Sequence, residues 1–376
     1  MIAPIVFWIC LAIPVYAYLG YPLTLILLRR IVHNSVAKRE ITPFLSLIVP
    51  AYNESATIVR KIHNSLALDY PSDRIEIVIA CDGCRDRTPE LAEEAARESG
   101  SAERIRVLNF PVNRGKILTL NAAVSESRGE IIVFSDASAI LNSDALRLLI
   151  RNFGDAHVGS VSGKYTVIKP HEVKIGGSED IYWKYETYLK TQESELSSTV
   201  GGHGHLHAIR AALYPYPPAG TINDDHIIHA SVIAQGWRAV YEPEAVIREE
   251  AQEMVGFGRR VRIMAGNFQQ LREIKPLLRP FRVMPVFFFV CRKALRLAVP
   301  FAMIAAFIAN LFLLRSPLYM ILFVGQVCFY SLAILGSLIR LRPKALMLPY
   351  YFSMINAAVF LGSYHAFTGL RTMRWK

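Results

Sequence analysis

Two kinds of patterning divide the chain. Ile2 to Leu28 carry no charge, and near the other end Ala298–Leu314, Pro317–Ile339 and Ala345–Phe367 are three more uncharged runs, parted by Arg315 and by Arg340, Arg342 and Lys344. About 20 apolar residues suffice for a helix to cross a bilayer core of about 30 Å, so these runs predict about four spans. Between the ends, from about Ile41 to Ile274, short apolar runs alternate with stretches of helical period. Leu45–Val49, Ile75–Ala80, Ile105–Leu108 and Ile131–Phe134 are rich in β-branched residues and predict strands. Ala56–Ala67, Thr88–Glu98 and Lys116–Ser125 predict helices. Such alternation predicts an α/β, Rossmann-like domain, its mainly parallel sheet covered on both faces.

The expected organisation is therefore an N-terminal membrane helix (1–30), a domain over 41–274, a linker (275–296) and a C-terminal membrane region (297–376). Pro276 to Arg296 is basic and aromatic, with Phe287, Phe288 and Phe289 in its middle, which suits a helix lying in the membrane interface.

Composition agrees: 52% of the 376 residues are hydrophobic, too many for a wholly soluble chain. The first run lacks a charged n-region and a small-residue exit, so it reads as an anchor and not as a cleaved signal. Arg29, Arg30, Lys38 and Arg39 follow it directly, which predicts an integral protein of the bacterial inner membrane with its domain in the cytoplasm. Four spans from an outside N-terminus would leave Arg371, Arg374 and Lys376 outside, against the positive-inside rule. Either the last run does not cross fully, or Phe281–Val290 dips into the bilayer.

The net charge of +11 changes the picture little, because the basic residues flank the apolar runs. That arrangement favours anionic membrane lipids and phosphate-bearing ligands over nucleic acid. Of the five cysteines, Cys81 and Cys84 form a C-x-x-C, but with no second ligand pair they read as a strand end and a turn.

Ligands of open parallel sheets bind beyond the carboxyl ends of the strands. The polar punctuation sits there: Asn53 and Glu54, then Asp82, then Asp136. His203, His205 and His207 alternate in "GGHGHLHAIR", and a strand would put them on one face, with His226 and His229 following. Zinc is one reading, but no cysteine joins them, and hydrogen bonding to a ligand is the other.

Six segments occur in order: "SLIVPAYNES", "ACDGCRDRT", "NRGKILTLN", "FSDAS", "NDDHI" and "RRVRI". Their order, spacing and membrane flanks resemble the membrane-bound family-2 glycosyltransferases, inverting sugar transferases that include the cellulose and hyaluronan synthases. The resemblance implies a GT-A fold and a nucleotide-sugar donor, with Pro50, Ala51, Tyr52, Asn53 and Glu54 around the nucleoside. It gives Asp82 the base edge, which favours uracil, and Lys116 the phosphates, with Asp136 and Ala137 also at the donor. Asp136 and Ser138 would hold Mg²⁺ or Mn²⁺. The family's second acid in Asp-x-Asp is a serine here, so less charge and a weaker metal site are expected.

Asp225 matches the catalytic base, with Asp224 beside it. His203 and His205 fall in the acceptor-side loop. Arg259 and Arg262 fall where processive synthases carry Gln-x-x-Arg-Trp, and would grip diphosphate or a lipid-linked phosphate. The glutamine and tryptophan are missing, which argues against processivity. A UDP-sugar donor and a lipid-linked or growing glycan acceptor at the inner membrane face are thus implied. A processive synthase and an inactive nucleotide-binding scaffold are the alternatives.

Overall fold

A computed structural model describes residues 2–168, 177–250, 257–272, 277, 282–339 and 344–368. Its strands are β1 (Leu45–Ala51), β2 (Ile75–Asp82), β3 (Ile105–Phe110), β4 (Ile131–Ser135), β5 (Ile140–Leu141), β6 (Val158–Ile168), β7 (Leu206–Arg210) and β8 (Arg238–Glu250). They form one sheet in the order β3-β2-β1-β4-β7-β6-β8-β5. The first four are mutually parallel, β7 runs antiparallel to β4 and β6, β8 is parallel to β6, and β5 is antiparallel to β8.

Burial on both faces explains the apolar runs. Leu45, Leu47 and Val49 of β1 join Ile77 and Ile79 of β2 on one face, under Ile58 and Ile62 of helix Ile58–Leu66 and Ala92 and Ala95 of helix Thr88–Glu98. Ile48, Val78 and Ile132 point the other way, against Leu120 and Ala123 of helix Lys116–Ser125 and Ile228 and Val232 of helix Asp224–Ala234. Burying each such side chain contributes about 1.5–3 kcal/mol before ordering costs, so neither face is expendable. The four expected strands each extend one or two residues further, because their last residues remain paired with neighbours in register.

Among the described residues, three helices are long and apolar enough to cross a membrane: Ile2–Arg29, Val283–Leu311 and Pro317–Leu338. That is one fewer than the pattern predicts. The fourth run does form a helix, Leu348–Thr368, but Tyr350, Tyr351, Asn356, Tyr364 and His365 dilute it. Its Gly362 lies against the backbone of Met264 and Ala265 in helix Phe257–Arg272, so it packs on the domain's last helix. From Val283 on, the expected interface helix and the second apolar run are one continuous helix; Pro276 and residues 278–281 lie outside the described part.

Val283–Leu311 is fastened to the domain by a buried charge network. Arg292, 2% exposed, stands 3.2 Å from Glu193 and donates to the Val200 carbonyl at 2.7 Å. Tyr21 of the first span donates to the same Glu193 at 2.5 Å, and Arg296 holds Glu186 at 2.5 Å. Burial opposes ionisation of Glu186, yet Arg296 and Arg292 outweigh it and hold this carboxyl down at about 2. Two long apolar helices and the sheet domain thus share one electrostatic joint through helix Gly177–Leu196.

Candidate active site

Three strand ends converge at one edge of the sheet, and two loops build on them. Asp82 closes β2, is fully buried, and accepts the backbone N–H groups of Arg114 (2.8 Å) and Gly115 (2.9 Å). In this conformation the carboxylate anchors the loop that carries Lys116. Gly83 and Gly115 have φ of +63° and +88°, a region that side chains rarely enter. A Cβ on Gly83 would stand 2.2 Å from the Asn113 nitrogen, so only glycine lets the loop close over β2.

Lys116 then begins its helix with the ammonium 3.1 Å from Asp136 and 3.4 Å from Asp224. Burial works against the charged form, but Asp136, Asp224 and Asp225 together hold its pKa above the ordinary lysine value. Asp136 answers in kind. Burial raises its pKa, and Lys116, His205 and Lys61 reverse that and leave it below the usual carboxylate range. An ionised carboxylate and a lysinium therefore coexist at the end of β4, facing the acids that open helix Asp224–Ala234.

Those acids sit in a first helical turn, where the helix dipole favours negative charge. Asn223, just before them, donates to the Ile263 carbonyl (3.2 Å) and to Asn267 (3.1 Å) of helix Phe257–Arg272. A Cβ on Gly266 would meet Asn223 at 2.6 Å, so the close approach needs a glycine there. Asp225 is half-buried, and a Cβ on Gly204 would stand 3.9 Å from it and 4.0 Å from the Lys116 ammonium. The missing side chain leaves a gap between base candidate and cation.

Pro50 and Ala51 are buried at the end of β1, while Tyr52 and Glu54 are half-buried and Asn53 is exposed in a left-handed turn (φ 56°). Asn53 accepts the Arg85 N–H at 2.8 Å, joining the β1 and β2 loops. Burial raises the Glu54 pKa; Thr57 opposes this, and Asp136 and Glu249 add to it. Ala137 is buried in the turn after β4.

The histidines do not share one face. The strand starts only at Leu206, so His203 and His205 belong to the loop before it. His203 lies 3.0 Å from Lys190, His205 faces Asp136 (3.8 Å) and Glu249 (3.6 Å), and His207 stacks on Phe134 with centroids 4.7 Å apart. Burial holds His203, His207, His226 and His229 below the ordinary histidine value, hence neutral. Among the described residues no three His, Cys, Asp or Glu side chains form a ready metal centre, so the zinc reading has no support.

Arg262 is half-buried on helix Phe257–Arg272; the side chain of Arg259 lies outside the described residues. Ser138 donates to Glu249 at 2.7 Å. Two participants escaped the sequence reading. Lys61, fully buried, donates to Ser135 (2.6 Å) and the Ala139 carbonyl (2.7 Å), and burial pushes its pKa down to about 7 although Asp136 opposes that. Glu249, at the end of β8, also accepts from Tyr165 at 2.8 Å. The signal for Glu249 was present: "AVIREE" is an apolar run ending on acids, as at Asp136. Two apolar cavities lie elsewhere, among the long apolar helices.

Comparison with known proteins fits this geometry. Residues 46–215 match the family model "Glycosyl transferase family 2". The chain carries a family-2 glycosyltransferase domain. A beta-monoglucosyldiacylglycerol synthase from Nostoc sp. is 33% identical to it over 166 residues, 44% of this chain and 34% of that protein. A poly-beta-1,6-N-acetyl-D-glucosamine synthase from Staphylococcus aureus is 26% identical over 234 residues, 60% of this chain and 55% of that protein. The chain thus spans between about a third and about half of these relatives. A mannosyltransferase from Pyrobaculum calidifontis, solved with GDP-Man and Mn²⁺, superposes with a TM-score of 0.74 at 22% identity, covering 97% of this chain and 99% of that one. The GT-A-like fold of the glycosyltransferase domain, with its flanking apolar helices, follows from that likeness.

Proposed function

We propose that the protein is a membrane-anchored, inverting glycosyltransferase. It moves a sugar from a nucleotide-sugar donor, with a UDP-sugar as first choice, to a lipid-linked or growing glycan acceptor at the inner membrane face. The observation that carries this reading is the opposition of Lys116 and Asp136 to the Asp224–Asp225 turn at the carboxyl edge of the parallel strands. Pro50 to Glu54 and the Asp82 loop border the nucleoside and base, and Lys116 faces the diphosphate.

Direct displacement at the anomeric carbon needs a base that takes the acceptor hydroxyl's proton as the new bond forms. Asp225 is that base; its half-exposed carboxylate lies across the Gly204 gap from the phosphate-facing lysine. Charge that builds on the departing diphosphate meets a fixed ammonium, an electrostatic stabilisation effective in a partly buried site. His203, His205, Arg259 and Arg262 border the acceptor side.

The oxygen donors at the end of β4 suit a hard cation such as Mg²⁺ or Mn²⁺, which accepts carboxylates, hydroxyls and phosphate oxygens. Asp136 and Ser138 would hold it, and it would neutralise diphosphate charge. Arg29, Arg30, Lys38 and Arg39 follow the first apolar helix directly, and by the positive-inside rule that supports a cytoplasmic domain.

The test is nucleotide release by the protein in lipid nanodiscs with UDP-, GDP- and dTDP-sugars, an acceptor lipid extract, and Mn²⁺, Mg²⁺ or EDTA. Release by the wild type that is lost in Asp225→Asn, with donor binding retained, is expected. Unchanged transfer by Asp225→Asn sinks the reading.

A further inference from the structure

The family's second metal-binding acid is absent in sequence, because Ser138 stands in its place, but a carboxylate is present in space. The strand pairing supplies it. β5 and β8 run antiparallel with Ile140 opposite Arg248 and Leu141 opposite Ile247, so the turn after Asp136 lies alongside the end of β8. Glu249 arrives beside Ser138 from 111 residues away, and Ser138 donates to its Oε1 at 2.7 Å. We propose that Glu249 is the second carboxylate of the divalent-cation site, working with Asp136 in place of the acid that Ser138 replaced. This rests on the glycosyltransferase reading above.

Buried glutamates of the domain show what sets Glu249 apart. Glu242 is paired with Lys38 at 2.8 Å and Arg151 at 3.2 Å, Glu76 with Arg128 at 3.0 Å, and Glu193 with Arg292 at 3.2 Å. Each has its charge met by a permanent cation. Glu249 is half-buried, its side chain 12% exposed, yet among the described residues its one ion-pair neighbour is His205 at 3.6 Å. Its two oxygens are instead aimed by neutral hydroxyls, Ser138 on Oε1 and Tyr165 on Oε2. Hydroxyl donors orient a carboxylate without cancelling its charge.

Asp136 lies 3.8 Å from the same Nε2 of His205, so the two carboxylates flank one ring nitrogen. A carboxylate fixed by neutral donors and lacking a full countercharge is suited to a metal, and burying it otherwise costs several kcal/mol. Mg²⁺ and Mn²⁺ take one or two protein carboxylates and complete their shell with phosphate oxygens and water. That requirement matches a pair of acids better than a closed cage of three, and no such cage exists among the described residues. Ser138 then becomes the residue that orients Glu249, which gives the replacement of the acid a structural sense.

The experiment measures Mn²⁺ binding by electron paramagnetic resonance on the full chain in nanodiscs, with Mn²⁺ alone and with Mn²⁺ plus UDP. Glu249→Gln should weaken binding at least about tenfold, since even supporting residues around a metal cost that much. Ser138→Asp introduced into Glu249→Gln should recover most of the loss, because it restores a second acid at the sequence position. Unchanged melting of both variants excludes misfolding as the cause. Binding lost in Asp136→Asn but intact in Glu249→Gln overturns the assignment and leaves the glycosyltransferase reading standing. Wild-type protein that binds no Mn²⁺ in either condition, or recovery that fails in the double variant, overturns it as well. The nucleotide-release assay with Asp225→Asn judges the enzyme reading separately.

Discussion

The two halves of the sheet speak differently. In β3-β2-β1-β4 every strand is parallel, β2, β1 and β4 are buried on both faces, and apart from the paired Ser46 and Glu76 their side chains read as almost unbroken apolar runs. In β7-β6-β8-β5 the strands mix directions, and buried polar groups interrupt them: Ser160, Ser162 and His207 are buried, and Glu242 is fully so. The first half holds the strand-end loops at Asn53, Asp82 and Asp136. The second brings His205, Tyr165 and Glu249 to the same edge. A scaffold visible from local pattern therefore carries half of the site, and long-range pairing delivers the rest.

The sharpest way to break the comparison is at the junction of the halves. Asp225→Asn should lower the transfer rate by about 10²–10⁴, the usual range for loss of a general base, with donor affinity within about twofold of wild type. Single-turnover kinetics alongside donor titration checks this, and a loss of donor binding instead would move Asp225 to the donor side.

The joint between domain and membrane comes next. Arg292→Met leaves Glu193 buried without its cation and should destabilise the protein by about 3–5 kcal/mol, as broken buried pairs do. Denaturant unfolding in detergent micelles measures it. A loss under about 1 kcal/mol would mean that the network is less desolvated than its burial indicates.

Gly204→Val tests the gap. The added side chain enters the space between Asp225 and Lys116, and a displacement of about 1 Å there should cost about a hundredfold in rate with little change in stability. Equal rates would show that the reacting groups meet elsewhere.

The smallest effect is a pH slope. Burial pushes Lys61 and Lys190 down to about 7, so between about pH 7 and the ordinary lysine range the folded chain binds fewer protons than the unfolded one. Stability should rise with pH across that window, by less than about 1.4 kcal/mol per pH unit for each lysine. Lys190→Met should remove its share of the slope; an identical slope would mean that Lys190 stays protonated when folded.

Much of the scaffold was legible before any coordinates. The strands beginning at Leu45, Ile75, Ile105 and Ile131 start where the apolar runs do, and the helices Thr88–Glu98 and Lys116–Ser125 match their predicted bounds. A strand buried on both faces has few polar positions to spare, and those it has are paired, as Ser46 of β1 is with Glu76 of β2, so its sequence announces it. The site was legible only where motif residues end such strands. The histidine triplet misled because period-two spacing implies one face only inside a strand, and the strand begins at Leu206. The fourth apolar run misled because charge, the property that was counted, ignores neutral polar residues such as Tyr350 and Asn356.

Local apolar periodicity and a few acids at strand ends determined the α/β domain, its membrane flanks and the place of Asp136, because burial on both faces acts residue by residue. Which carboxylate stands beside Asp136, which cation anchors the membrane helix and what lies across from Lys116 were decided only by the tertiary structure. Those contacts depend on strand register and helix docking between residues about a hundred positions apart, and no local free energy records them.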